Sequence, residues 1–228
     1  MIKFEHTEVF NFEGALRGMR NPLNSWKKND SYYGCEYSGC MNCPQSFTCN
    51  MFANEFIVGE NDLKLAQNLI KAGPDHRKFM RQIIVSVDIT APLYWWKEFD
   101  TYKVGTVSNS CSTMHKIHAK EFTLNDFSCE HLFNDGDRKF LKDFEYTVHA
   151  LNMARTQYIE TKDKRYWWQM IQLLPSSYNQ KRTITFNYEN ILNIYHSRKN
   201  HKLDEWSIGF MEWIDTLPYA NELIKGGD

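Results

Sequence analysis

The stretch IIVSVDITAPLYWWKEFDTYKVGTVSNSCSTMH, residues Ile83 to His115, passes from a β-branched segment through two adjacent tryptophans to a run of Ser, Asn, Cys and Thr. IIVSVDI predicts a buried strand, because β-branched side chains fit a packed, pleated surface. Thr90 is placed to cap a following helix with Pro92 inside its first turn, so LYWWKEFDTY is expected to be helical up to a break at Gly105. Trp95 and Trp96 project in neighbouring directions on that helix. Only one is expected to face the core centrally, with its partner in a groove or interface. Lys97, Glu98 and Asp100 read as a solvated helix face. Aromatic rings at this density beside a polar run are the composition of a pocket wall.

Towards the N-terminus, Ile2 to Phe10 reads as a strand and NFEGALRGMRN as a short helix ended by Pro22. From Asn24 to Asn50 the chain is rich in Asn, Ser, Gly and Cys and has no period, the mark of an inserted loop. ENDLKLAQNLIKAGP reads as a helix with Asn61 as N-cap, an apolar face of Leu63, Ala66, Leu69 and Ile70, and a Gly73-Pro74 stop. HRKFMRQ continues helically for about two turns.

Downstream, DRKFLKDFEYTVHALNMARTQYIETKD predicts a long amphipathic helix with Phe140, Leu141, Phe144, Val148, Leu151 and Met153 as its apolar positions. RYWWQMIQLL predicts a second helix stopping at Pro175, and TITFN a short strand. YENILNIYHSRK and LDEWSIGFMEWIDTL predict two more helices before a frayed tail. The expected fold is α+β, a helix-rich mixed α/β domain with a small central sheet. Residues 1–228 read as one domain, with residues 24–50 a Cys-rich loop inserted within it.

The chain has 228 residues, with 27 Lys and Arg against 28 Asp and Glu and a net charge of -1, so the overall balance announces neither a nucleic-acid nor a membrane partner. A local basic patch stays compatible with that balance. MIKFEHTEVF carries charges where a signal peptide needs an apolar core, and no apolar run is long enough to span a bilayer, so a cytoplasmic protein is expected. Aromatic residues make up 15% of the chain, enough to supply both core area and flat stacking surfaces.

Cys35, Cys40, Cys43 and Cys49 fall in one short segment, GCEYSGCMNCPQSFTCN. Three readings stand: a tetrahedral zinc site using the Cys40-x-x-Cys43 knuckle, an iron–sulfur cluster, or reduced surface thiols. Zinc held by four thiolates would fold the loop rather than perform chemistry, since no coordination position stays open. Cys111 has Ser112 and His115 nearby, but a small buried thiol is the expected state. The histidines show no HExxH spacing, and no GxGxxG or Walker loop occurs. The tryptophan pair Trp167-Trp168 carries the same expectation as Trp95-Trp96.

AGPDHRKFMRQIIVSVDITAPLYWWKEFDTYKVGTVSNSCSTMH resembles the central region of the flavin-dependent thymidylate synthases, the ThyX family. Gly73, IIVSVDI and LYWWKEFD keep that family's order of helix end, strand and helix, and Asn109 and Ser112 match the Asn and Ser of its N-E-x-S element. LLPSSYNQKRTITFNYENILNIYHSRKNHKLDEW resembles a second block, with Leu174-Pro175, Asn187, Leu192, Arg198 and Trp206 on matching positions. The family's Arg-His-Arg triplet falls on Thr101-Tyr102-Lys103, or one residue later, and the arginine ending the N-E-x-S element falls on Met114. The nucleotide-binding Arg before the L-P pair falls near Ile171. The Glu-His pair of the preceding helix falls near Phe79-Met80, with His76 as a substitute. Bidentate arginines at a phosphate site are not replaced conservatively.

The resemblance implies a ThyX-like fold, FAD as cofactor, a pyrimidine deoxynucleotide as substrate, and methylenetetrahydrofolate and NADPH as co-substrates. It also implies a homo-oligomer, a tetramer, with one-carbon transfer from dUMP to dTMP or a related modification of the pyrimidine ring. Carried over by position, Ser112 and Lys103 become catalytic candidates. His76, Tyr102, Lys103, Asn109, Asn187 and Arg198 become flavin-binding candidates, and Ser112, His115 and Arg182 nucleotide-binding ones. Tyr102 and Trp96 are candidate stacking surfaces, and Lys103, Arg77, Arg81, Lys181, Arg182 and Arg198 a candidate basic pocket. The alternative is a catalytically inactive nucleotide- or nucleic-acid-binding protein, whose metal-folded Cys loop would stack bases on Tyr32, Tyr33, Tyr37 and Phe47.

Overall fold

A computed structural model describes residues 2–34, 55–134 and 138–226, so the four clustered cysteines, Tyr37 and Phe47 lie outside the described residues. In chain order the elements begin with strand β1 (Lys3–Phe10), helix α1 (Phe12–Met19), strands β2 (Tyr32–Gly34) and β3 (Glu55–Ile57), helix α2 (Glu60–Lys71), strand β4 (Ile84–Pro92) and helix α3 (Leu93–Phe99). Strand β5 (Val107–Ser110), helices α4 (Thr113–Lys116), α5 (Lys139–Thr161) and α6 (Lys164–Leu173), strand β6 (Asn179–Asn187) and helix α7 (Tyr188–Arg198) follow. A π-helical segment (Glu205–Phe210) leads into α8 (Met211–Asp215) and α9 (Ala220–Leu223). The main sheet has the order β1-β4-β6-β5, and β2 pairs with β3. The mixed, helix-rich fold with a small sheet is the expected one.

The chain divides into two compact units, each described by itself. The first comprises residues 1–7, 86–185 and 198–213. Its α5–α6 side is built on Ile117, Phe122, Phe127, Leu151 and Met170, all buried. Leu141, Val148, Leu151 and Ala154 are the buried positions of α5, whereas Phe140 and Met153, expected on the same face, are 60% and 59% exposed. Leu141, Val148, Leu151 and Ala154 fall at i, i+7, i+10 and i+13, a narrower stripe than the apolar residues alone suggested.

A second aromatic core surrounds α3. Trp95 and Trp96 are both essentially fully buried, correcting the expectation that one would face a groove. Trp95 lies 4.4 Å from Trp206 and 5.1 Å from Phe99, centroid to centroid, while Trp96 meets Trp95 edge-on at 4.8 Å. Burying Trp96 is permitted because its Nε1 donates to the Gln180 carbonyl at 2.9 Å, whereas the buried Trp95 Nε1 has no hydrogen-bond partner among the described residues. Strand β4 runs through Pro92, which is itself the N-cap of α3, so Thr90 lies in the strand and caps nothing. The first amides of α3 are satisfied from elsewhere: Leu93 N donates to Tyr178 O and Tyr94 N to Ser176 O, each at 3.0 Å. The predicted last helix is a π-helical turn before α8, and the tail expected to fray buries Leu223 and Ile224.

The second unit comprises residues 8–85, 186–197 and 214–228. Gly59, not Asn61, is the N-cap of α2, and the capping acceptors come from a distant side chain, Asp30, which takes the amides of Asn61 at 2.9 Å and Asp62 at 3.1 Å. The helix ends as expected at Gly73, whose φ of +104° is the left-handed geometry that glycine adopts without strain. HRKFMRQ forms only a tight 3-10 segment, Lys78–Gln82.

Arg77 and Arg81 both pair with Glu189, at 3.1 Å for Arg77 Nε. Burial pushes the Glu189 carboxyl up, but the hydrogen bonds from Arg81 and Arg77 outweigh it and leave the group below the ordinary carboxylate range. A carboxyl whose pKa is depressed on folding stabilises the fold above its unfolded value, about 4.3, and loses that contribution as pH falls through the folded value. Urea titrations are therefore expected to show Glu189→Gln narrowing the loss of stability below about pH 4.3 relative to the parent protein. Equal acid sensitivity in both would count against the pair.

Candidate functional site

The site is built on the C-terminal end of α3, on β5 and on residues 179–185 of β6, all within the first unit. β5 pairs antiparallel with β6, setting Asn109 opposite Thr183 and Ser110 opposite Arg182. VSNS carries no apolar alternation and is exposed throughout, so only the backbone ladder makes it a strand. The pairing continues past its end: Cys111 N donates to Lys181 O at 2.9 Å, and Gln180 Nε2 donates to Cys111 O at 2.7 Å. Cys111 is exposed, not the buried thiol that was expected. Ser112 is the N-cap of α4, its Oγ accepting from His115 N at 3.1 Å and lying 2.7 Å from His115 Nδ1.

Two arginines converge on α3 from different elements. Arg198, at the end of α7, donates through Nε to the Tyr102 hydroxyl at 2.8 Å and through Nη1 to Glu98 Oε2 at 2.7 Å. Its guanidinium lies over the rings of Trp206, at 5.2 Å, and Tyr102, at 5.6 Å. Arg182, on β6, lies over Trp96 at 4.2 Å, donates through Nε to Gln180 Oε1 at 2.9 Å, and pairs through Nη1 with Asp100 Oδ1 at 2.7 Å. Each planar fork is thus held on an aromatic face and fixed at two nitrogens. A guanidinium has five N–H donors, so each fork retains donors to offer an anion.

Glu98 and Asp100 are the residues sequence reasoning missed. Instead of a solvated face, Glu98 is a hub: Oε2 also receives Trp206 Nε1 at 3.1 Å and lies 3.3 Å from His201 Nε2. Their partners lie far away in sequence, and only the alternation of acids and aromatics in WWKEFD hinted at them. Nearby, Tyr94 donates to buried Glu205; burial and that bond push the Tyr94 hydroxyl up, so it stays a donor.

Of the sequence-predicted site residues, Tyr102, Lys103, Asn109, Ser112, His115, Arg182 and Arg198 all fall in this unit, Lys103 as an exposed residue just beyond Tyr102. His76 and Asn187 fall in the other, His76 exposed and Asn187 buried. Asn187 and Asn190 cap the start of α7 reciprocally, each side-chain oxygen accepting the other's amide, at 3.0 and 3.2 Å. The expected basic pocket is not an assembly of free cations, because Arg77, Arg81, Lys181, Arg182 and Arg198 each carry an acidic partner. Of the aromatics named for stacking bases, Tyr32 and Tyr33 line a cleft of about 300 Å³ in the second unit with Trp26 and Phe56. Its two arginines are also paired, Arg17 with Glu13 and Arg20 with Asp62.

A structural search matches 98% of this chain, at a TM-score of 0.63 and 15% identity, to 96% of thymidylate synthase X from Helicobacter pylori crystallised with FAD and dUMP. The chain has a ThyX-like fold. A second crystal structure of the Helicobacter pylori ThyX complexed with FAD and dUMP matches at a TM-score of 0.64 and 15% identity, covering 98% of this chain and 97% of that one. No protein-family model and no curated protein matches the sequence. Among the described residues of this ThyX-like chain, no group of three or more His, Cys, Asp or Glu side chains is arranged to hold a metal, and no helix is long and apolar enough to cross a membrane.

Proposed function

We propose that this chain is a flavin-dependent enzyme of the ThyX type, acting on a pyrimidine deoxynucleotide by one-carbon transfer to the ring or a related modification. The observation that carries the proposal is the likeness, over nearly the whole chain, to a ThyX crystallised with FAD and dUMP. The residues fit such ligands: two guanidiniums fixed on aromatic faces with donors to spare, beside the exposed Asn109 and the Ser112–His115 pair. Bound FAD would supply the hydride, while the chain supplies binding, orientation and electrostatics.

On this reading Tyr102, Lys103, Asn109 and Arg198 hold the flavin; His76 and Asn187, in the other unit, are carried over from the resemblance alone, and the Asn187 side-chain oxygen is already committed to its helix cap. Arg182 and His115 bind the nucleotide. Ser112 Oγ, 2.7 Å from His115 Nδ1, orients the pyrimidine, and Lys103 supplies charge at the reacting ring. Methylenetetrahydrofolate and NADPH are the proposed co-substrates, a homotetramer the proposed assembly, and the cytoplasm the proposed location. The acid partners of Arg182 and Arg198 favour a second reading, a ThyX-like protein that binds nucleotide without turning it over, because Asp100 and Glu98 compete with an incoming phosphate.

Incubation with dUMP, methylenetetrahydrofolate, NADPH and FAD separates the two. Formation of dTMP supports the enzyme, whereas nucleotide binding without product supports the second reading.

A further inference from the structure

The junction of α5 and α6, in the first unit, carries a feature that the flavin and nucleotide chemistry leaves unused. Tyr158, Lys162, Lys164 and Trp167 line an open cleft of about 350 Å³. Lys162, which ends α5 in a left-handed conformation, places its Nζ over the Tyr158 ring at 5.9 Å. Trp167 is fixed by donating its Nε1 to Met114 O at 3.2 Å, and it meets Trp168 edge-on at 5.0 Å. Trp168 is 46% exposed. This pair does divide as a helix surface requires, one ring packed and one towards solvent. Asp163, the acid within the cluster, is held by Arg165 through both Nε and Nη2 and accepts the Arg165 amide as cap of α6. Lys162 and Lys164 are exposed on either side of it.

We propose that this junction is a binding surface for single-stranded nucleic acid. Flat rings next to exposed ammonium groups match a strand's two chemical components, because bases stack on aromatic faces whatever their sequence and lysines neutralise the phosphates between them. A duplex keeps its bases stacked inside and offers the rings nothing. A free nucleotide phosphate is better held by forked arginines or an open helix N-terminus. Here Arg165 is taken by Asp163, and Asp163 caps α6. The chain's net charge of -1 does not oppose this surface, since the attraction acts within a Debye length of about 10 Å at 0.1 M salt.

Fluorescence anisotropy of a labelled oligothymidylate, titrated with the full chain at several salt concentrations, tests the proposal. The double variant Lys162→Glu/Lys164→Glu is expected to flatten the salt dependence by about 1.4, at about 0.7 per phosphate contact on a single strand. Trp168→Ala is expected to weaken binding at least about fivefold through lost stacking. Both variants change exposed side chains, and circular dichroism checks that each is folded. Absence of binding at low salt overturns the proposal, as does equal binding of a duplex. Full competition by dUMP at matched phosphate concentration, or folded variants that bind like the parent, overturns it too.

Discussion

Replacing Asp62 with alanine is expected to destabilise the protein by about 3–5 kcal/mol, because it strands a buried cation. Asp62 is fully buried and Arg20 is 3% exposed, with Arg20 Nε donating to Asp62 Oδ1 at 2.5 Å. Nη2 lies 2.5 Å from the same oxygen, off the line of a hydrogen bond. The other carboxylate oxygen gathers the 30–31 turn, accepting Ser31 Oγ at 2.6 Å, Ser31 N at 3.2 Å and Asp30 N at 3.3 Å. Asp30 in turn caps α2, so one deletion loosens a turn, a helix start and an ion pair together. The double replacement Arg20→Met/Asp62→Leu is expected to recover only the part of the loss that comes from the stranded guanidinium, since the amides of Asp30 and Ser31 and the Ser31 hydroxyl still lose their acceptor. Urea midpoints compare the variants, and an alanine variant within about 0.5 kcal/mol of the parent would contradict this account of the turn.

Arg198→Ala is expected to weaken flavin or nucleotide binding by about 1.5–3 kcal/mol, roughly 10- to 150-fold in Kd, with a stability cost near 1 kcal/mol. The asymmetry comes from Glu98, which keeps Trp206 Nε1 at 3.1 Å and His201 Nε2 at 3.3 Å as partners once Arg198 is gone. Arg198→Lys should recover little of the affinity, because an ammonium cannot reproduce a fork lying between Tyr102 and Trp206. Titrations with FAD and with dUMP, beside urea unfolding of the same samples, read both quantities. Unchanged affinity for both ligands would remove Arg198 from the site.

The sequence made the helices and central strands legible because their apolar periods are local. In β4, Val85, Val87, Ile89 and Ala91 are buried in alternation, and α2, α5 and α6 carry helical spacings within one window. What stayed hidden was set by partners far along the chain. Trp96 is buried because Gln180 accepts its N–H and Arg182 covers its face, and both sit on β6. β5 is four exposed residues that are a strand only through β6. Thr90 failed as a cap because β4 stays paired through Pro92, leaving Ser176 and Tyr178 to receive the first amides of α3.

The site was legible in the same uneven way. The resemblance named Tyr102, Lys103, Asn109, Ser112 and Arg198, which fall in one unit, and His76 and Asn187, which fall in the other. It did not show that Glu98 and Asp100 already neutralise the two arginines, because that depends on side chains that meet across about a hundred residues. Those acids set the level of affinity to expect. A phosphate must displace or share a paired guanidinium, which costs binding energy, while the aromatic backing keeps the fork in place at no further entropic cost.

Titration of the purified protein with FAD, followed by visible absorbance and by loss of free-flavin fluorescence, tests the central claim most directly. The account predicts saturable FAD binding that dUMP strengthens and that Arg198→Ala weakens at least about tenfold. Colourless protein with no measurable affinity for FAD, with or without dUMP, would contradict it.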